Sequence, residues 1–126
     1  MKFTVDKNER YTVLSVHEEN LNTLNAPHLK SEFVILHNEG VKNLILDFKD
    51  IKYVDSSGLS SILTANRLWE GKGTLVLTNV VNENVQQLIK ISRLDTVFTI
   101  IPTTQESIDY VLMEEIEREL HSDSED

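Results

Sequence analysis

Residues 51–63 of the chain read IKYVDSSGLSSIL, and their pattern indicates the fold class. Ile51, Tyr53 and Val54 bring the chain from a predicted strand at residues 43–48 to a polar segment, Asp55-Ser56-Ser57-Gly58. From Leu59 onward, apolar residues recur three and four positions apart, which is the spacing of a helix that buries one face. The stretch therefore predicts a strand-to-helix junction, the repeating unit of α/β proteins.

The rest of the chain repeats this unit on both sides of the junction. Alternating apolar residues at 3–5 and 12–16 predict two strands joined by a short turn, and therefore an antiparallel hairpin. Further strands are predicted at residues 43–48, 74–80 and 97–101, and helices after Pro27, Asp55, Asn82 and Thr103. The order β-β-α-β-α-β-α-β-α predicts an α/β fold: a mixed β-sheet that starts with the hairpin and is packed by about four α-helices.

Length and charge limit the possible functions. With 126 residues the chain has room for one domain, which we expect at residues 1–113. An acidic helical extension should follow at 114–126 and become disordered from residue 121. The 21 Asp and Glu residues outnumber the 12 Lys and Arg residues, and the extension alone holds seven acids and one Arg. Without a cationic patch, we expect neither nucleic acid nor an anionic membrane surface as a partner.

The residue types that most cofactors and catalytic centres need are missing or badly spaced. The chain has no cysteine, which excludes disulfides, zinc–thiolate sites and thiol nucleophiles. Its four histidines lack metal-ligand spacing, and neither a phosphate-binding loop nor the nucleophile motif G-x-S-x-G occurs. We therefore expect no metal, no cofactor and no enzymatic activity. No apolar run approaches the ~18 residues of a membrane span, and Asp6 and Glu9 interrupt the region that a secretory signal needs, so a cytoplasmic protein is expected.

The most informative polar segment is Asp55-Ser56-Ser57-Gly58, where the central helix begins. The first turn of a helix exposes backbone N–H groups at the positive end of the helix dipole. A hydroxyl there can cap the helix, and once phosphorylated it would bring a dianion to those N–H groups. The alternative is purely structural: Asp55, Ser56 and Ser57 cap the helix, and Gly58 eases the bend. A phospho-aspartate is not favoured, because the nearest acidic pair that could hold a metal follows the wrong strand.

Together these residues resemble the STAS domain, and more narrowly the bacterial anti-sigma factor antagonists. The resemblance rests on the hairpin start, on Asn25-Ala26-Pro27 at the end of a polar loop, and on D-S-S-G-L at residues 55–59 opening a helix. A glycine pair at 71 and 73 and the segment LIKISRLDTVF at 88–98 fall where the family has similar features. The resemblance covers roughly residues 2–113 and implies an STAS-like fold.

The resemblance also implies a protein switch. In the antagonists, a serine-kinase anti-sigma factor phosphorylates the hydroxyl directly after the Asp, which by position is Ser56, with Ser57 as second choice. The unphosphorylated domain binds the anti-sigma factor and frees a sigma factor; phosphorylation blocks this binding and a phosphatase restores it. The expected partner-binding residues are Asn22, Asp55, Ser57, Gly58, Leu59 and Leu88. For the two leucines, a place in the core is the alternative.

The chain departs from the family pattern in two places. The loop after the second strand often reads G-E-[IL]-D in the family, whereas here residues 19–22 read E-N-L-N. Asn22 thus keeps the hydrogen-bonding shape of the Asp without its charge. Arg93 stands where the family often has Gly. In this loop, at residues 18–26, Leu21 and Leu24 are expected to act as apolar anchors.

A second interpretation, from another functional class, is an STAS-type accessory subunit or scaffold of a transport or signalling assembly. Such a domain would dock constitutively, without a phosphoswitch, and the acidic extension would belong to the docking surface. In the extension, Ile116 and Leu120 continue the apolar stripe of Leu112. This stripe could cover the domain itself, meet a partner, or lie on a solvated face.

Overall fold

A computed structural model describes residues 1–124, with side chains as far as residue 121. In this part of the chain the strands are β1 (Phe3–Lys7), β2 (Thr12–Val16), β3 (Asn20–Leu21), β4 (Asn43–Asp47), β5 (Tyr53–Val54), β6 (Thr74–Thr78) and β7 (Ile100–Ile101). The α-helices are α1 (Ala26–Asn38), α2 (Ser56–Trp69), α3 (Glu83–Ile91) and α4 (Thr104–Ser124), and a 3-10 turn spans Leu94–Thr96. The predicted alternation of strands and helices is confirmed.

A mixed sheet with the strand order β1-β2-β4-β6-β7 forms the centre of the protein. β1 and β2 form the predicted antiparallel hairpin, in which Phe3 lies opposite Val16. The other neighbours in this sheet are parallel. Parallel strands need long crossover connections, and helices supply them here. Because β2, β4, β6 and β7 run in the same direction, the loops that follow them meet at one end of the sheet.

The helices are divided unequally between the two faces of this sheet. On one face, α1, α2 and α3 contribute to a large core that includes Phe33 and Trp69. On the other face, α4 packs through Val111, which is fully buried beside Ile45 and Val76. Burying a side chain of this kind stabilises the fold by about 1.5–3 kcal/mol. Each face of the sheet is therefore held by its own apolar cluster.

β3 and β5 form a second, smaller sheet that the sequence did not predict. Asn20 pairs with Tyr53, and Leu21 pairs with Val54, in parallel. Leu21 is fully buried, as expected of an anchor, and its carbonyl oxygen accepts a hydrogen bond from the amide of Asp55 at 3.1 Å. Strands of two residues are too short to show a periodic pattern in the sequence. This small sheet fixes the loop after the hairpin against the start of α2.

Three sequence-based expectations need correction. Leu24 is not an anchor, because it lies in a tight turn that leaves its side chain 92% exposed. Val97 and Phe98 do not belong to the last strand, since the amide of Val97 donates to the carbonyl of Leu94 and closes the 3-10 turn, and the amide of Phe98 donates to the same carbonyl. Residues 121–124 are helical instead of disordered, because each added residue extends the hydrogen-bonded ladder of α4. The last two residues of the chain lie outside the described ones.

α4 continues through residue 113, the expected end of the domain, without a break. Within the acidic extension, the guanidinium of Arg118 donates to Thr74 Oγ1 at 2.6 Å and to Asn43 Oδ1 at 3.1 Å. Asn43 is only 1% exposed. The extension is therefore attached to the beginnings of β4 and β6. None of the described helices is both long enough and apolar enough to cross a membrane.

Candidate functional site

Asp55 begins α2 as its N-cap residue. Its backbone is extended, with φ −95° and ψ −174°, and its Oδ1 accepts a hydrogen bond from the amide of Gly58 at 2.9 Å. This cap satisfies one of the amides that the first turn of a helix leaves without a partner. Backbone hydrogen bonds, first that of Gly58 and then those of Thr23 and Ser57, hold the pKa of Asp55 below its usual 3.8, although desolvation opposes them. The carboxylate is therefore ionised at neutral pH.

Thr23 connects this helix start to the loop that follows β3. Its amide donates to Asp55 Oδ2 at 3.2 Å, and its hydroxyl donates to the same oxygen at 3.4 Å. The hydroxyl also lies 3.1 Å from Ser57 Oγ. The Asp55 carboxylate thus caps α2 with one oxygen and holds the loop with the other. Sequence reasoning missed Thr23, because no local pattern links positions so far apart.

The two serines after Asp55 have different surroundings. Ser57 is partly buried, and its hydroxyl is engaged with Thr23. Ser56 is exposed, and its hydroxyl makes no hydrogen bond with any residue that the structure describes. Of this pair, Ser56 is the residue that offers an unengaged hydroxyl to solvent.

A shallow cavity of about 240 Å³ opens beside these serines, and we call it the serine cavity. Its lining residues are Thr23, Ala26, Pro27, Lys30, Ser56, Ser57 and Ser60. Lys30 comes from α1, and its Nζ lies 3.5 Å from Ser60 Oγ. Sequence reasoning missed Lys30 too, since a lysine on a helix surface carries no signal of its own. The cavity therefore combines an ammonium group with several hydroxyls.

Two further observations concern the rest of the surface. A larger cavity, of about 850 Å³, lies between α3 and β7 and is lined by none of the serine-cavity residues. Across the part of the chain that the structure describes, no group of three or more His, Asp or Glu side chains could hold a metal ion. Of the predicted site residues, Ser56 and Ser57 line the serine cavity.

Gly58 lies in the first turn of α2, where Leu21 of β3 packs closely against it. A Cβ atom at Gly58 would lie 2.5 Å from the carbonyl oxygen of Leu21 and 2.7 Å from Val54 Cγ1. Gly58 is buried and helical, so its small size is needed for close packing and not for a bend. Gly58 therefore lies below the surface and does not present a contact of its own.

The remaining predicted partner-binding residues lie in three different settings. The side-chain oxygen of Asn22 accepts from the amide of Leu24 at 2.9 Å and so fixes the turn that carries Thr23. Aspartate offers the same acceptor, which explains why Asn can replace it in this turn. Leu59 is partly buried against the main core. Leu88 is partly buried on α3 and does not line the serine cavity.

Sequence comparison relates the chain to known proteins. The family model of the STAS domain matches residues 2–107. BtrV of Bordetella bronchiseptica, whose name assigns it to the anti-sigma factor antagonists, is 28% identical over 101 residues. The aligned region makes up 79% of this chain and 85% of BtrV.

Solved structures share the fold. The crystal structure of the Thermotoga maritima protein TM1081 superposes with a TM-score of 0.76 at 24% identity, over 86% of this chain and 93% of that one. The Bacillus anti-sigma factor antagonist SpoIIAA matches in its unphosphorylated form with a TM-score of 0.68 at 21% identity, over 87% of this chain and 97% of SpoIIAA. Its phosphorylated form matches with a TM-score of 0.66 at 21% identity, over 87% and 99%. The fold and the match over residues 2–107 confirm the resemblance, and the chain belongs to the STAS domain family.

Proposed function

We propose that the protein is an anti-sigma factor antagonist controlled by phosphorylation of Ser56. In the unphosphorylated state it binds a serine-kinase anti-sigma factor and so frees a sigma factor. Phosphorylation ends this binding, and a phosphatase restores it. The protein acts by binding another protein and not as an enzyme. The observation that carries the proposal is the exposed, unengaged hydroxyl of Ser56 at the start of α2, directly after the capping Asp55.

The choice of Ser56 over Ser57 is supported by their hydrogen bonds. A kinase needs the serine oxygen to reach the γ-phosphate of ATP with its lone pair free. Ser57 would first have to give up its contact with Thr23, which lies 3.1 Å away. Ser56 has no such contact to lose, so it is the expected acceptor.

The local charges explain how a phosphate would act as a switch. A phosphoserine carries about −1.5 to −2 charges at neutral pH. On Ser56 it would adjoin the ionised carboxylate of Asp55, whose pKa is lowered by the helix amides. Lys30 in the serine cavity supplies a cation that can remain near the phosphate. A partner surface that fits the neutral hydroxyl would no longer match the charged phosphate. If this mismatch removes about 3 kcal/mol of binding free energy, the affinity falls more than a hundredfold.

The surface around the serines supports a docking role. Leu24, which adjoins Thr23, is 92% exposed, so its apolar side chain is available for contact with a partner. We propose that the anti-sigma factor contacts Leu24 together with the surface formed by Asn22, Asp55, Ser57 and Leu59, beneath which the buried Gly58 packs against β3. Leu88 on α3 would lie at the edge of the same interface.

The test uses the cognate kinase with ATP, followed by mass spectrometry of the intact protein. Wild type and Ser57→Ala are expected to accept one phosphate, whereas Ser56→Ala accepts none. Full phosphorylation of Ser56→Ala would move the site to Ser57, and absence of phosphate on wild type would refute the switch. The matched binding test compares Ser56→Asp with Ser31→Asp, which adds the same charge at an exposed position of α1 that does not line the serine cavity. We expect binding to weaken at least a hundredfold in Ser56→Asp and far less in Ser31→Asp. Binding that Ser56→Asp leaves unchanged would instead favour the constitutive accessory subunit.

A further inference from the structure

Three apolar side chains form an exposed stripe on the outer side of α4. Met113, Ile116 and Leu120 are 60%, 43% and 63% exposed. Val111 on the same helix is fully buried against the sheet. At about 100° per residue, the three stripe residues project about 140–200° away from Val111 around the helix. The stripe therefore does not cover the domain to which it belongs.

The spacing within this α4 stripe is that of a coiled-coil seam. Its steps of three and four residues correspond to heptad positions a, d and a. In this register, Glu117 and Glu119 occupy the flanking e and g positions, and both are exposed. Asp109 occupies the preceding d position, so the apolar part of the seam spans about two helical turns, roughly 10 Å.

The charges around the stripe are of one sign. Arg118 is the only Lys or Arg in α4, and its guanidinium is directed inward to Thr74 and Asn43. Glu117 and Glu119 therefore have no Lys or Arg of α4 beside them on the outer side. Charges at e and g positions decide which helix can pair with a seam, because like charges repel across it. A second copy of this chain would bring Glu against Glu, and an anionic lipid surface would also be repelled.

From the seam and its charges we propose that the α4 stripe docks an amphipathic helix of a protein partner, whose apolar seam is flanked by Lys or Arg. This surface lies on the opposite face of the sheet from α1 and α2, which form the serine cavity. A partner on α4 would leave Ser56 accessible. The proposal does not depend on the phosphoswitch.

The experiment measures binding of designed helical peptides to the full chain by fluorescence anisotropy. One three-heptad peptide has Leu at a and d and Lys at e and g; the matched peptide has Glu at e and g. We expect the Lys peptide to bind at least tenfold more tightly than the Glu peptide. Glu117→Lys combined with Glu119→Lys should reverse this preference. Serine at all three stripe positions should weaken binding of the Lys peptide at least tenfold. The control variant, Val34→Ser with Ile35→Ser, replaces two exposed apolar residues of α1 and should bind the Lys peptide as wild type does.

Several results would overturn the proposal. The proposal is wrong if the Lys peptide does not bind the wild-type protein. It is also wrong if the triple serine variant binds the Lys peptide as tightly as wild type does, because the peptide is then attracted to the acidic surface in general. Sedimentation equilibrium that shows a dimer, lost in the triple variant, would assign the stripe to a second copy of the chain. Binding to phosphatidylcholine vesicles that needs the stripe would assign it to lipid. Circular dichroism checks that each variant is folded. If the triple serine variant unfolds, the reversed peptide preference of the Glu117→Lys, Glu119→Lys variant tests the proposal instead.

Discussion

The hydroxyl oxygens of Thr23 and Ser57 lie 3.1 Å apart, although the two residues are 34 positions apart in the chain. Together with the two hydrogen bonds from Thr23 to Asp55, this contact joins the loop after β3 to the first turn of α2. It also engages the second serine of the pair and leaves the first one free. The loop is therefore part of the site that the helix start presents.

Replacing Thr23 with Val keeps the shape of the side chain and removes its hydroxyl. Asp55 and Ser57 each lose a partner, so we expect the free energy of unfolding to fall by about 0.5–1.5 kcal/mol, measured by urea denaturation. Ser31→Ala is the control, because its hydroxyl bonds only to the carbonyl of Pro27 within α1. An equal loss in both variants would contradict a special role for the Thr23 contacts.

Replacing Asp55 with Asn should change how stability depends on pH. Because the pKa of Asp55 is lowered in the folded protein, its stabilising contribution is complete well above pH 3.8 and is lost as the pH falls through the lowered pKa. Asp55→Asn should therefore be less stable than wild type at pH 7, and the difference should shrink as the pH falls below 3.8. Urea midpoints at several pH values test this. A difference that stays constant across the range would contradict it.

Replacing Leu24 with Ser should weaken partner binding without weakening the fold. Its side chain is 92% exposed, so little burial is lost in the free protein. We expect the affinity for the proposed anti-sigma factor partner to fall about tenfold, which corresponds to ~1.4 kcal/mol, with an unchanged unfolding midpoint. Ile91→Ser is the control, since Ile91 is 76% exposed on α3. Unchanged affinity in Leu24→Ser would remove this residue from the interface.

Replacing Gly58 with Ala should destabilise the protein despite the better helix propensity of Ala. Propensity favours Ala by about 1 kcal/mol, but the new methyl group would lie 2.5 Å from the carbonyl oxygen of Leu21. Such crowding typically costs about 1–3 kcal/mol, so the net effect is a loss. Ser60→Ala, at an exposed position of the same helix, should not destabilise. A more stable Gly58→Ala protein would mean that β3 moves aside freely.

Replacing Arg93 with Gly should stabilise the protein. Arg93 has φ 61° and ψ 22°, a left-handed conformation that costs a residue with a side chain about 1–2 kcal/mol. Glycine avoids this cost but loses about 0.5–1 kcal/mol through the greater freedom of the unfolded chain. We expect a net gain of about 0.5–1 kcal/mol in thermal or urea unfolding. Arg67→Gly, inside α2, should instead lose about 1 kcal/mol. A loss in both variants would contradict the strain at Arg93.

These residues show which parts of the structure can be predicted from the sequence. The start of α2 was predictable, because an N-cap such as Asp55 and the periodicity after it are local signals. Leu24 was predicted wrongly because composition cannot tell which leucine of a short loop turns inward. Thr23 and Lys30 escaped prediction for a different reason: both reach the serines only through the tertiary packing of β3 and α1. Local patterns therefore predicted the elements, whereas contacts between distant segments completed the site.

The small β3–β5 sheet has a consequence for motion. It is outside the long hydrogen-bonded ladder of the main sheet and consists of two residue pairs. Segments with few backbone hydrogen bonds open locally at a free energy well below that of global unfolding. We therefore expect the amides around Asn20 and Tyr53 to exchange with deuterium much faster than those of β4. The region that presents Ser56 can then loosen and re-form while the rest of the protein stays folded.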